Sequence, residues 1–344
     1  MSTRSRELGT LLTEAVAGDR GALARLLSLV ERGGPLSREL ARLVYATPPP
    51  HTVGLTGAPG AGKSTLTSRL IAAARGGWTA GPDDSRPVDQ VAVLAVDPSS
   101  PLTGGAILGD RVRMQDHATD PSVYIRSMAT RGHLGGLALA VPEAVRVLGA
   151  VGMPLVIVET VGVGQMELDV AAAADTTVVV VTPGWGDAMQ ANKAGLLEVA
   201  DVFVVNKADR PGVREARRDL EQMLDLSAHR PWRPPIVETV AASGQGIDAL
   251  WVEIGRHRDH LSTSGELAGR RRARVGQELR RVVTAQLLRR AEELTTGEGF
   301  ADAVAAVGEG RLDPYEAVGR LMAGEPTPAT PSGPGPARGG AGTT

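Results

Sequence analysis

The chain has 344 residues, 42% of them hydrophobic but only 3% aromatic. One large domain with additions, or two domains, must therefore build a core from Val, Leu, Ile and Ala. Its 37 basic and 39 acidic residues leave a formal charge of −2, so no global field draws it to nucleic acid or anionic lipid. Cysteine is absent, which excludes disulfides, thiolate metal sites and cysteine nucleophiles and suits a reducing compartment. Met1 to Arg20 lacks the apolar core of a signal peptide. The longest apolar stretch, Val170 to Val181, is too short for a membrane span and contains Asp175. Together these features predict a cytoplasmic protein.

Residues 4–47 read as helices, with Leu8, Leu11, Leu12 and Val16, then Leu23, Leu26, Leu27 and Val30, at helical spacing. Gly33, Gly34 and Pro35 break the run, Ser37 is predicted to cap a third helix through Tyr45, and Pro48 to Pro50 form a stiff boundary. From His51 the pattern changes to short apolar runs between helix-length segments. The runs are Thr52–Thr56, Gln90–Val96, Val123–Ile125, Leu155–Glu159, Thr176–Thr182, Val202–Asn206 and Pro235–Val240. Such alternation predicts an α/β fold: a mostly parallel sheet with helices on both faces. Residues 264–322 read as helical again, with Arg270 to Glu293 carrying the stripe Val275, Leu279, Val282, Val283, Leu287 and Leu288, then a shorter pair with Pro314 near the start of the last helix. From Glu325 the composition is too poor in apolar residues to order itself. The expected organisation is an N-terminal helical segment (1–50), an α/β domain (51–261), a C-terminal helical arm (262–324) and a disordered tail (325–344).

The sharpest motif is Gly57-Ala58-Pro59-Gly60-Ala61-Gly62-Lys63-Ser64-Thr65, which fits G-x-x-x-x-G-K-[ST] between an apolar strand and an amphipathic helix. Glycines let the backbone curl so that N–H groups converge on phosphate oxygens, and the helix N-terminus adds partial positive charge. Lys63 reaches the β/γ-phosphates and the Ser64 hydroxyl can ligate Mg²⁺. The second motif is Asn206-Lys207-Ala208-Asp209 at a strand end, the guanine-reading element of GTPases. Its Asp accepts from the guanine ring N–H and exocyclic amine, a donor pair that adenine lacks.

The apolar run Leu155–Val158 ends in Glu159, with Gly162 three residues on. An acid there sits beside the Mg²⁺ coordination sphere, and the glycine lets a backbone N–H approach the γ-phosphate. Asp97 and Asp110 flank a Gly-rich stretch after another strand. That stretch either closes over Mg²⁺ and the γ-phosphate or is an ordinary surface loop.

These residues together resemble the SIMIBI-class GTPases, and more narrowly the MeaB/ArgK group, GTPase chaperones of adenosylcobalamin-dependent methylmalonyl-CoA mutase. The resemblance is carried by VDPSSPLTGGAILGDRVRM (Val96 to Met114), IRSMATRGHLGGL (Ile125 to Leu137), ETVGVGQMELDVA (Glu159 to Ala171) and ADVFVVNKADR (Ala200 to Arg210), and extends to about Gly324. It implies that GTP or GDP is the ligand and that Lys63, Ser64, Asp97, Asp110 and Glu159 surround Mg²⁺ and phosphate. It also implies a homodimer joined through the arm at about 262–324, and a partner that is a cobalamin-dependent acyl-CoA mutase. Adenosylcobalamin would then be met only through that mutase. Pro183 to Lys193 matches a third switch, with Asp187 and Lys193 as the charged positions facing the mutase. Trp185, Ala188, Asn192 and Met166 depart from the group's usual residues. The final guanine element is Val240-Ala241-Ala242, with the Ala241 N–H expected at the guanine carbonyl. The group also bears an older label as a kinase of a lysine/arginine/ornithine transport system, which stands as an alternative beside a GTP-binding scaffold of negligible hydrolysis.

Other features yield less. Arg270–Arg290 lies among Glu266, Glu278, Glu292 and Glu293 without interleaved aromatics, so a solvated helix face outweighs nucleic-acid binding. His117, His133 and the pair His257/His260 lack a convincing carboxylate and read as structural. The expected reaction is in-line attack of water on the γ-phosphorus, aided by Mg²⁺, Lys63 and backbone N–H groups. Gln165 is the nearest candidate for orienting that water.

Overall fold

The computed structural model describes residues 3–77, 79–81, 84–87, 90–97, 114, 117, 119–129, 136–160, 173–185, 195, 198–226 and 231–327. Three helices come first: α1 (Thr3–Val16), α2 (Arg20–Arg32) and α3 (Pro35–Val44). Then follow β1 (His51–Gly57), α4 (Lys63–Gly77), the short strands β2 (Thr79–Gly81) and β3 (Asp84–Pro87), β4 (Val91–Asp97), β5 (Val123–Ala129) and α5 (Gly136–Ala150). The α/β portion continues with β6 (Leu155–Thr160), β7 (Thr176–Val181), β8 (Val202–Asn206), α6 (Val213–Leu226), β9 (Ile236–Thr239) and α7 (Ile247–Thr263). Helices α8 (Glu266–Thr296), α9 (Glu298–Gly308) and α10 (Pro314–Ala323) close the described chain.

The seven predicted strand runs all become strands, paired in parallel in the order β5-β4-β6-β1-β7-β8-β9. They read as continuous apolar runs because helices cover both faces. Alternate residues still divide between the faces. Val156 and Val158 of β6 join Leu94 and Val96 of β4 in a core with α1, α2, α3 and α5. Leu155 and Ile157 face the opposite way, into a core with Val53, Leu55, α4 and α7. Val179, Phe203 and Val205 form a third cluster against Ala216 and Leu220 of α6. The antiparallel pair β2–β3 was not expected, since its polar, proline-containing segments carry no strand periodicity. Among the described residues no helix is long and apolar enough to cross a membrane. By contacts the chain divides into two compact units, 1–281 and 282–344, and α8 runs through both.

Ser37 does not cap α3. The helix begins at Pro35, whose fixed φ suits a first helical position, and Gly34 is the capping residue. Ser37 therefore lies inside the first turn, buried, and its hydroxyl donates to Glu143 Oε2 of α5 at 2.6 Å. Burial pushes the Glu143 carboxyl up, the Ser37 bond opposes this, and Glu278 of α8 adds to the rise.

His257 also departs from expectation, because its carboxylate lies far away in sequence. Its Nε2 is 3.2 Å from Asp201 Oδ1, and its Nδ1 is 2.9 Å from Thr176 Oγ1. Asp201 has a twin in Asp175. Each follows an alanine, each directly precedes a strand, and each accepts the backbone N–H of the adjacent strand: Thr52 at 3.1 Å for Asp175 and Thr177 at 2.8 Å for Asp201. The first turns of α8 supply the countercharges. Arg270 bonds Asp201 at 2.9 Å, Arg271 bonds Asp175 at 2.8 Å, and Arg274 pairs with Asp175 as well. Burial alone would raise both carboxyl groups, yet the Arg271 hydrogen bond with Arg274 and His51 around Asp175, and His257 with Arg270 around Asp201, hold both below the usual carboxylate range. Burial lowers the neighbouring His51 to about 4 against the pull of Asp175, so its imidazole is neutral at pH 7.

Removing one partner of a buried ion pair leaves the other charge uncompensated. Asp175→Asn is therefore expected to cost about 3 kcal/mol at pH 7, read from urea midpoints. The sign with pH follows from the lowered folded-state pKa. Asp175 stabilises fully above its unfolded value of 3.8, and this is lost as pH falls towards the folded value. The gap between wild type and variant should narrow below about pH 4.

Candidate nucleotide site

Strand β1 lies between β6 and β7 at the centre of the sheet, and the connection from β1 runs to β4 on one side while that from β7 runs to β8 on the other. The carboxyl end of such a strand is where open α/β sheets form a crevice. Gly57 ends β1 there with φ 137°, and a Cβ at this position would lie 2.1 Å from Val180 O of β7. Only glycine permits this approach. Gly62, at φ 92°, is similarly constrained, since a Cβ would meet Asn206 Nδ2 at 2.4 Å. Helix α4 starts at Lys63, so the loop from Ala58 to Gly62 delivers the chain directly into a helix N-terminus. The buried Lys63 lies along this loop, its Nζ donating to Gly57 O at 2.7 Å and Ala58 O at 3.0 Å.

One flank of the loop is acidic. Glu159 is held in the sheet opposite Leu55 of β1 and Ala95 of β4, so its Cα position is set by two neighbours. Ser64 donates to Glu159 Oε1 at 2.6 Å, and Thr67 donates to Oε2 at 2.8 Å. Asp97 ends β4, one residue past the pair Val96↔Thr160, at the same edge as Glu159. Its side chain lies outside the described residues, as do Asp110, Gly162, Gln165, Asp187 and Lys193. Hydroxyl and carboxylate oxygens gathered in a buried corner suit a hard cation such as Mg²⁺.

The other flank carries the second motif. Asn206 ends β8, is 2% exposed, and uses both ends of its amide. Its Nδ2 donates to Ala61 O at 2.7 Å, and its Oδ1 accepts from Thr239 Oγ1 and Ala241 N, each at 3.1 Å. Phosphate loop and Val240–Ala242 segment are thereby tied to one side chain. The Ala241 N–H expected to meet a guanine carbonyl is thus engaged by Asn206, and a base would share or displace that bond. Lys207 is the one non-glycine with positive φ among the described residues, at 59°. Such strain persists where the surroundings over-determine it. Here Ala208 N–H bonds Thr239 O at 3.0 Å and Lys207 Nζ bonds Gly60 O at 2.7 Å. The turn leaves the Asp209 side chain exposed.

Three contributors were missed from sequence: Thr67, Thr239 and Arg69. Arg69 reaches from α4 to the guanine element, with Nε on Ala241 O at 3.1 Å and a terminal nitrogen on Ala242 O at 2.7 Å. Helical spacing from Ser64 could have placed Thr67 on the same face, but nothing local marks Arg69 or Thr239. Trp185, a departure within the third-switch segment, is buried with Val181 and Phe203 and so packs inward at the root of that segment.

Residues 23–296 match the family model described as methylmalonyl Co-A mutase-associated GTPase MeaB. A Pyrococcus abyssi protein named as a GTPase is 45% identical over 317 residues, spanning 91% of this chain and 95% of its own length. The GTPase ArgK of Escherichia coli is 36% identical, over 79% of this chain and 82% of that protein. The mouse mitochondrial methylmalonic aciduria type A homolog is 35% identical, over 77% of this chain and 66% of its own. A crystal structure of an LAO/AO transport system kinase superposes with a TM-score of 0.65 at 27% identity, covering 94% of this chain and 98% of that one.

Arg69 gives this geometry a direct test. Arg69→Ala should weaken GDP binding about tenfold by calorimetry, the scale of one charge-assisted hydrogen bond, with little change in melting temperature. Arg69→Lys should recover little of it, because an ammonium cannot span two carbonyls as the planar fork does.

Proposed function

Since this chain belongs to the MeaB family of methylmalonyl-CoA mutase-associated GTPases, we propose that its GTP hydrolysis gates adenosylcobalamin loading and protection of a cobalamin-dependent acyl-CoA mutase. The observation that carries the nucleotide half of this reading is the Asn206 bridge, which joins phosphate loop and guanine element through a single buried amide. The family description and the name of the mouse relative support the mutase half.

In this reading the backbone from Gly57 to Thr65 and the Lys63 ammonium bind the β- and γ-phosphates. Ser64, Asp97, Asp110 and Glu159 would hold Mg²⁺, which when bound neutralises charge on the phosphate oxygens. Asn206, Lys207, Asp209 and Val240–Ala242 hold guanine, and Asp209 rejects adenine by being left without donors. Lys63 would release the Gly57 and Ala58 carbonyls and turn to the phosphates. Water then attacks the γ-phosphorus in line, the bond to the GDP oxygen breaks, and phosphate leaves. Gln165 orients that water, Gly162 reports the γ-phosphate, and the segment with Asp187 and Lys193 passes its state to the mutase. Turnover is slow alone and faster with the partner.

The arm supports a homodimer. Leu279, Val283, Leu287 and Leu288 of α8 are exposed, Leu287 by 66%, on a helix that gains little from propensity alone. A second copy of the same helix would cover them isologously. The arm begins as a structural strut, because Arg270, Arg271 and Arg274 neutralise the buried aspartates. A test of dimerisation must therefore leave those residues in place.

Two outcomes follow. With γ-labelled GTP, free phosphate should accumulate slowly and speed up on adding the cognate mutase. Label transferred to a protein would instead favour the transport-kinase reading, and fast turnover indifferent to any mutase would overturn the gating proposal. In the second, Val283→Glu with Leu287→Glu should give a monomer by light scattering that still hydrolyses GTP. A variant that stays dimeric would remove the arm from the interface.

A further inference from the structure

We propose that Thr67 is a positioning residue for Glu159: its hydroxyl grips one carboxylate oxygen and so keeps the other aimed at the cation beside Ser64. This rests on the reading that Ser64 and Glu159 hold Mg²⁺.

The need for a grip comes from the length of the acid. A glutamate has one methylene more than an aspartate, and each added torsion multiplies the directions its carboxylate can take. The sheet holds the backbone of Glu159 through Leu55 and Ala95, but sheet pairing does not set side-chain torsions. Two hydroxyls from α4 do. Ser64 and Thr67 are three residues apart and share a helix face. Ser64 takes Oε1 at 2.6 Å and Thr67 takes Oε2 at 2.8 Å, so the two contacts fix the carboxylate plane.

The two hydroxyls are not equivalent. Ser64 stands at the second position of α4, beside the phosphate loop, where a cation can claim its oxygen. Thr67 lies one turn further in, with 0% exposure, away from the phosphate position. Its β-branched side chain is stiff. Its Oγ1 also lies 3.0 Å from Lys63 O, four residues back, the contact that selects this rotamer in a helix. The single hydroxyl proton goes to the charged carboxylate, the better acceptor. A cation would use a lone pair of the Ser64 hydroxyl, whose proton can stay on Oε1 while Thr67 holds Oε2. Outer partners of this kind are worth 10- to 100-fold in metal affinity in other sites.

The experiment uses the full chain and the fluorescent diphosphate mant-GDP, first in EDTA and then across a Mg²⁺ titration. Thr67→Val keeps the shape and removes the donor. Half-saturating Mg²⁺ is expected to rise about tenfold, with mant-GDP affinity in EDTA unchanged. Thr67→Ser, which restores a hydroxyl, should recover most of the loss. Valine weakening mant-GDP equally with and without Mg²⁺ would mean that Thr67 only packs the helix, and the proposal falls. Glu159→Gln is run in parallel. If it raises half-saturating Mg²⁺ while Thr67→Val does not, the positioning role alone is overturned. If neither moves it, the cation reading of Glu159 fails and takes this inference with it.

Discussion

The amide of Asn206 holds together parts of the chain that lie far apart in sequence. Its Nδ2 secures the phosphate loop through Ala61 O, and its Oδ1 secures the ends of β9 and the following turn through Thr239 and Ala241. A buried amide left half-paired would cost a desolvation penalty at each orphaned atom. Here donor and acceptor ends are both used, so the network favours one geometry of loop and turn. That geometry excludes a side chain at Gly62, and the adjoining Lys207 turns left-handed where Ala208 N–H meets Thr239 O and its own Nζ meets Gly60 O. The bare glycine thus follows from where Asn206 sits.

A parallel sheet has chemically distinct ends, and this molecule loads both. At the carboxyl end lie Gly57, Asp97 and Asn206, the last residues of their strands, and Glu159, one residue before the end of β6. At the amino end two Ala-Asp pairs introduce β7 and β8, and each aspartate accepts a backbone N–H near the start of the strand beside it. Burying two carboxylates there is costly unless they are paired and hydrogen-bonded. Helix α8 supplies the pairing. Its amino-terminal turns belong to the α/β fold through Arg270, Arg271 and Arg274, while Leu279, Val283, Leu287 and Leu288 further along are exposed. A single helix therefore serves as countercharge for the sheet and as the root of the arm.

The same economy appears on α4, which does three things along one helix. Its amino terminus faces the phosphate loop, Ser64 and Thr67 engage the acid of β6, and Arg69 crosses to the carbonyls of the guanine element. Leu66, Leu70 and Ile71 bury the remaining face in the core shared with α7. Displacing α4 would disturb all three sets of contacts at once.

Whatever depends on neighbours along the chain could be read without the fold. The seven strands were legible as continuous apolar runs, the phosphate loop as glycines between a strand and a helix, and Asn206–Asp209 as a polar turn at a strand end, because each pattern is complete within a few residues. The α/β class and the membership in a GTPase family followed from them. Contacts between distant segments depend instead on how the elements are assembled in space. Arg69 meets Ala241 across 172 residues and Thr67 meets Glu159 across 92, and neither partner signals the other locally. Ser37 looked like a cap because serine favours that position, but Pro35 and Gly34 had already started the helix and left its hydroxyl to Glu143. His257 lacked a carboxylate in sequence because Asp201 reaches it through the sheet. Periodicity reports which face of an element is apolar, whereas the partners of a buried hydroxyl, imidazole or carboxylate are set by which strands the topology lays side by side.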